Sequence, residues 1–161
     1  MKSLALKISM AVLSMIPLVA KAELIVLASP QSNDAYYAKM IDDIFDFHVD
    51  YAKKIIKNGD NVVVLTDKGL YPDYVKALGK KHVAIAPMHD IWMRDFTSAN
   101  PAQPVMFRYT AAGQGGAKKG QAISDEVQDE FKYYSQKAGL QFSQSKLLND
   151  GGNWVEDGYG N

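Results

Sequence analysis

The chain has 161 residues, with 18 Lys+Arg against 18 Asp+Glu, three histidines and no cysteine. Its composition, 47% hydrophobic and 22% charged, is that of a globular protein with one domain's worth of chain. Without cysteine these residues build no disulfide scaffold, zinc–thiolate site, iron–sulfur cluster or thiol nucleophile, and without a basic surplus they are not suited to nucleic acid as a main partner.

Lys2 and Lys7 precede an uncharged run from Ile8 to Ala20, and Ala20-Lys21-Ala22 places small residues where a signal peptidase reads. The run is too short for a membrane span of ~20 apolar residues and contains Pro17. Residues 1–22 are therefore expected to be a cleaved export signal, with cleavage after Ala22, a secreted or periplasmic product and no stable membrane association. Loss of Lys2, Lys7 and Lys21 leaves 15 basic against 18 acidic residues, a mildly acidic mature chain.

Residues 24–28, Leu-Ile-Val-Leu-Ala, form a continuous apolar run of the kind found in strands buried on both faces. Ser32, Asn33 and Asp34 supply helix-capping oxygens, and apolar residues at helical spacing, including Ile41, Ile44, Phe45, His48, Ala52 and Ile55, predict a helix from there to Asn58-Gly59. Strands are expected at 61–66 and 82–86, with a short helix over 73–78 between them. A fourth strand is expected at 105–109, then an amphipathic helix over 123–138, then strand pieces at 140–142 and 146–148. The class is mixed α/β.

Two look-alike motifs fail on spacing. The Gly113–Gly120 loop has no Gly-Lys-Ser or Gly-Lys-Thr, so it is not a P-loop. The stretch from Asp150 to Asn161 breaks both the EF-hand pattern and the glycine-rich calcium repeat. His48, on the apolar side of its helix, reads as a core residue, and Lys80-Lys81 beside His82 suggest exposure. His89 reads as structural.

Two segments carry more particular chemistry. Residues 89–97, His-Asp-Ile-Trp-Met-Arg-Asp-Phe-Thr, follow the third strand and set Trp92, Arg94 and Asp95 at the mouth of an α/β unit. Residues 149–154, Asn-Asp-Gly-Gly-Asn-Trp, place Asp150 at a strand end before two glycines that admit close approach of another chain segment. Taken singly, each also fits ordinary structure, as a charged pair near a strand end or as a glycine-rich turn.

Trp-Met-Arg-Asp at 92–95 and Asp-Gly-Gly-Asn-Trp-Val-Glu-Asp-Gly-Tyr-Gly at 150–160, with Phe107-Arg108-Tyr109 between them, resemble the agmatine deiminases and their secreted bacterial peptidylarginine deiminase relatives. The resemblance implies a pseudo-fivefold α/β propeller of strand–strand–helix–strand blades, of which residues 23–161 are the N-terminal part, about two blades. It implies that Asp95 binds the substrate guanidinium and that Asp150 helps hold it and manage protons. Trp92 matches an aromatic residue lining the slot, and Arg108 falls near arginines that grip a substrate carboxylate. The expected partner is a small-molecule or peptide guanidinium, with no metal or organic cofactor. The family's cysteine nucleophile and the histidine of its His-x-Asp motif have no counterpart here, since His48, His82 and His89 all precede Asp150. The expectation is a deiminase whose 161-residue portion is inactive alone; the alternative is an exported, non-catalytic guanidinium-binding protein.

Overall fold

The computed structural model describes residues 22–97, 104–110 and 117–153. Of the expectations above, the export signal up to Lys21, residues 113–116 of the Gly113–Gly120 loop and everything from Trp154 onward lie outside the described residues, while residues 117–120 are helix rather than loop.

Three strands, β1 (Leu24–Ala28), β2 (Asn61–Thr66) and β3 (Val83–Ile85), form a parallel sheet in that order. β1 and β2 run in register from Leu24 opposite Asn61 to Ala28 opposite Leu65, and Val64 to Thr66 face Val83 to Ile85. Parallel neighbours need a crossover. Helices α1 (Ile41–Lys57) and α2 (Tyr71–Leu78) supply the two crossovers. α1 carries Asp42 and Asp43 in its first turn and Lys54 and Lys57 in its last, matching the helix dipole at both ends. It ends at Asn58 and Gly59, whose φ of +93° suits a residue without Cβ. α2 opens with Pro72 in its first turn, where no intrahelical N–H is lost.

Both helices cover one face of the sheet. Ala52 and Ile55 pack on Val62, and Tyr74 fills the space between Val64 and Val83. The other face is open. Leu24 and Val26 stay exposed and, with Val63, Leu65 and Ile85, floor a groove of about 830 Å³. The apolar run at 24–28 thus does not mean burial on both faces, because among the described residues nothing packs against Leu24 and Val26 on the groove side.

A second parallel pair, β4 (Val105–Tyr109) and β5 (Ser143–Asn149), has a register irregularity between Met106 and Arg108. Its crossover is α4 (Ala117–Lys137), six residues earlier in onset than expected. A third cluster joins the two sheets: Ala28, Ala86 and Met88 from the first meet Phe96, Tyr109 and Val127 from the second half. The buried amide of Gln128 on α4 takes part in this joint. Its Oε1 accepts from the Tyr109 N–H at 3.1 Å, and its Nε2 donates to the carbonyls of Phe107 (2.7 Å) and Phe96 (3.2 Å).

Mixed α/β architecture with parallel sheets is therefore present, but the two sheets do not close into a propeller. Among the described residues each hydrogen-bonded strand pair encloses a helix, unlike the expected strand–strand–helix–strand blade. Smaller differences have local causes. Residues 32–40 form turns rather than helix, because the Asp34 carboxylate accepts from the N–H groups of Tyr36 (2.8 Å) and Tyr37 (3.3 Å) and holds a tight turn. Residues 140–142 are not strand, and β5 is continuous across 143–149 with Leu147 and Leu148 outward. His82 is buried despite its lysine neighbours, its Nδ1 donating to the Val62 carbonyl at 3.0 Å.

His48 is buried against Tyr74, whose hydroxyl lies 3.1 Å from its Nδ1. Burial lowers its pKa to about 4. The unfolded chain takes up a proton at this histidine below its ordinary value of about 6.5, whereas the folded one does not. Stability should therefore fall as pH drops from 6.5 toward 4, with this residue contributing about 1.4 kcal/mol per pH unit. Denaturant midpoints measured at pH 7, 6 and 5 should show the slope, and His48→Gln should flatten it; an equal slope in both proteins would place the acid sensitivity elsewhere.

Candidate functional site

In parallel α/β sheets ligands gather beyond the carboxyl ends of the strands. The segments leaving β1, β2 and β3 meet there. Ser32 donates its N–H to Asp67 at 2.9 Å, Gln31 donates to the Met88 carbonyl at 3.3 Å, and the Tyr37 hydroxyl donates to Asp90 at 2.9 Å. The segment after β3 turns on Asp90, whose Oδ1 accepts the Ile91 N–H at 2.7 Å, and leads into a single helical turn, α3 (Met93–Phe96). Phe96, fully buried, anchors α3 against Tyr109 and Phe131, with ring centroids 6.0 and 6.1 Å away.

Asp150 arrives from the other sheet, immediately after β5, and the following 3-10 turn (Gly151–Asn153) lies against α3. Its glycines are required by proximity. A Cβ on Gly151 would run into the Arg94 carbonyl. One on Gly152 would stand 2.5 Å from Asp95 Oδ1 and 3.1 Å from Asp150 Oδ1. The Gly152 N–H donates to Asp150 Oδ1 at 2.9 Å and also hydrogen-bonds Asp95.

Asp95 and Asp150, predicted together from two distant motifs, are thus hydrogen-bonded side chain to side chain. Burial raises the pKa of Asp95, and so do the charge of Asp150, the bond to it and the charge of Asp90. Bonding to a neighbouring carboxylate favours a proton on Asp95. The same place suits a cation whose donors reach both carboxylates. Tyr109 walls the cluster, its hydroxyl held protonated first by burial and then by the charges of Asp90, Asp95 and Asp150. The apolar groove reaches this point, with Asp95 and Gly151 in its lining.

Trp92 stands at the entry to α3 with its side chain largely in solvent, at 62% exposure. The structure does not bring Arg108 to the carboxylates. Its Nε and Nη2 bind Asp125 on α4 at 2.9 and 2.6 Å. Alternation along β4 explains this: Tyr109 points to the cluster, so its neighbour points to the opposite face. His89 is also directed elsewhere, with Nδ1 2.7 Å from Glu130 and Nε2 3.3 Å from Glu126. Sequence reasoning missed Asp90, Tyr37 and Tyr109 as parts of the cluster. Asp90 sits five residues before Asp95, but its inward direction is set by Tyr37, which no local pattern reveals. Among the described residues no group of three or more His, Asp or Glu side chains is placed to hold a metal ion.

Solved structures share this fold. C. jejuni agmatine deiminase is 17% identical with a TM-score of 0.62, the match covering 87% of this chain and 42% of that one. A cysteine-to-serine variant of the same enzyme with substrate bound matches at 14% identity and a TM-score of 0.60, over 87% of this chain and 41% of that one. A crystal structure described as a candidate peptidyl-arginine deiminase matches at 16% identity and 0.66, over 87% and 42%. The chain thus spans about two-fifths of the length of these proteins. No functionally curated protein matches it. The sequence pattern of one family fits residues 14–161, nearly the whole chain, and with the paired aspartates and their glycine turn in place the protein belongs to the Porphyromonas-type peptidyl-arginine deiminase family.

Proposed function

We propose that this chain provides the guanidinium-binding part of a guanidino deiminase acting on agmatine or on arginine in peptides. The observation that carries the reading is the Asp95–Asp150 pair, two hydrogen-bonded carboxylates from separate sheets at the end of an apolar groove. A guanidinium is planar, permanently charged and offers five N–H donors in a fixed fork. Seated between the two carboxylates it replaces the proton favoured on Asp95 and exposes its central carbon to attack from one face. Trp92, at the entry to α3, is proposed to flank the bound cation. Deimination then consists of attack on that carbon, loss of ammonia and addition of water, leaving a ureido group.

The family reading assigns the attack to a cysteine thiolate, with a histidine moving protons. These 161 residues contain no cysteine, so the nucleophile would come from outside them. A closed propeller would cover the open face of β1–β3 and the outward Leu147 and Leu148. A second reading is a non-catalytic protein that keeps the guanidinium slot. In either case residues 1–22 are proposed to direct export.

Calorimetric titration of the chain with agmatine separates these ideas. Agmatine should bind near neutral pH, and its uncharged ureido analogue should not. Ammonia release should be undetectable; turnover by these residues alone would overturn the cysteine route, and equal binding of the ureido analogue would overturn the carboxylate slot.

A further inference from the structure

Asp90 is the most deeply placed carboxylate of the cluster, 8% exposed. Its Oδ1 takes the Tyr37 hydroxyl at 2.9 Å, the Ile91 N–H at 2.7 Å and, more weakly, the Trp92 N–H at 3.5 Å. The Trp92 side chain in turn makes a hydrogen-bonding contact with Tyr37. We propose that Asp90 is a positioning residue of the guanidinium site: through Tyr37 it fixes the turn that presents Trp92 and Asp95, and its charge stands behind the Asp95–Asp150 pair as a third attraction for the cation. The inference rests on the guanidinium reading above.

Holding the turn needs only an acceptor, and asparagine would serve. A buried carboxylate costs more than a buried amide, so its charge needs a use. The groups around it show where that charge acts. Asp95 on α3 and Tyr109 on β4 both feel it, as does Tyr37 in the segment after β1. Asp150, after β5, completes the set. His89, the adjacent cationic candidate, is directed to Glu126 and Glu130 of α4 instead, while Arg94 of α3 lines the groove beside Asp95. The charges of Asp150 and Asp90 act together on Asp95, favouring a proton on it when no cationic ligand is seated there.

Agmatine titrations of the full chain, from the ordinary carboxylate value of about pH 4 up to pH 8, test this with four proteins. Wild type should bind more tightly as pH rises and Asp95 loses its proton. Asp90→Asn keeps the acceptor for Tyr37 and Ile91 but loses the charge. Its affinity at neutral pH should fall roughly three- to tenfold, the range for one charge acting across a partly solvated site, and its pH midpoint should move lower. Tyr37→Phe keeps the charge and frees the turn, so affinity should fall with the midpoint in place. Wild-type affinity in Asp90→Asn, or a loss with an unmoved midpoint, overturns the electrostatic role. Should Asp90→Asn fail to fold, Tyr37→Phe decides, and wild-type affinity there overturns the tether. Asp95→Asn separates the two levels: if it binds like wild type the guanidinium reading itself falls, whereas if it alone fails to bind only the role of Asp90 falls.

Discussion

Asp95→Asn should lose guanidinium binding and gain stability. The substitution keeps the shape of the side chain and removes one of two charge-assisted contacts to the cation, a loss on the order of 2–5 kcal/mol. That corresponds to roughly thirty- to several-thousand-fold weaker binding of agmatine. Stability moves the other way. Burial and the charges of Asp150 and Asp90 raise the pKa of Asp95. The folded state therefore holds a proton that the unfolded state has released, and above this raised pKa the ionised carboxylate penalises folding. Below about pH 3.8, where both states are protonated, the penalty is gone. The variant's advantage, about 0.5–2 kcal/mol, should appear as pH rises through the carboxylate range and be complete at pH 7. Paired melts at pH 4 and pH 7 beside an agmatine titration measure both arms. A variant that binds agmatine as wild type does would remove Asp95 from the site.

Phe96→Ala should be the most damaging single core truncation near the site. Phe96 is fully buried, sits in the cluster shared by both sheets, and supports α3 one residue after Asp95. Truncating a buried phenylalanine costs about 3–5 kcal/mol through lost burial and the cavity left behind. That is a large part of the 5–15 kcal/mol that separates folded from unfolded domains. Chemical denaturation should show a matching drop in midpoint. Phe96→Leu, which fills most of the space, should recover most of it, and equal stability of Phe96→Ala and wild type would mean that the two halves are joined elsewhere.

How much of this was legible in the chain depends on whether the cause was local. β1, β2 and β4 follow from apolar runs, and the end of α1 from Asn58-Gly59, because these signals act over a few residues. Asp95 and Asp150 were legible as a pair because their motifs are particular, although 55 positions separate them. The start of α1 was misplaced because Asp34 caps an isolated turn with the same hydrogen bonds that begin a helix. Arg108 was misdirected because pairing with Asp125 depends on strand facing and on a helix that follows later. His82 was misjudged because its partner is a carbonyl on β2, twenty residues earlier. The burial of Asp90 depends on Tyr37, and no window of sequence around either residue contains both.

The Gln128 amide, which accepts from one backbone N–H and donates to two carbonyls, limits how this chain can diverge. Glutamate has the length but, when ionised, no donor for either carbonyl; lysine and arginine offer no acceptor for the Tyr109 N–H; leucine offers neither. Asparagine has both groups but is one methylene shorter. Most exposed positions of α4 can drift through neutral replacements, whereas position 128 leaves almost none, because each one-step change strands at least one buried main-chain group. A descendant of this protein that has lost glutamine here would need a compensating change in β4 where its register is irregular, and the two changes would have to arise together.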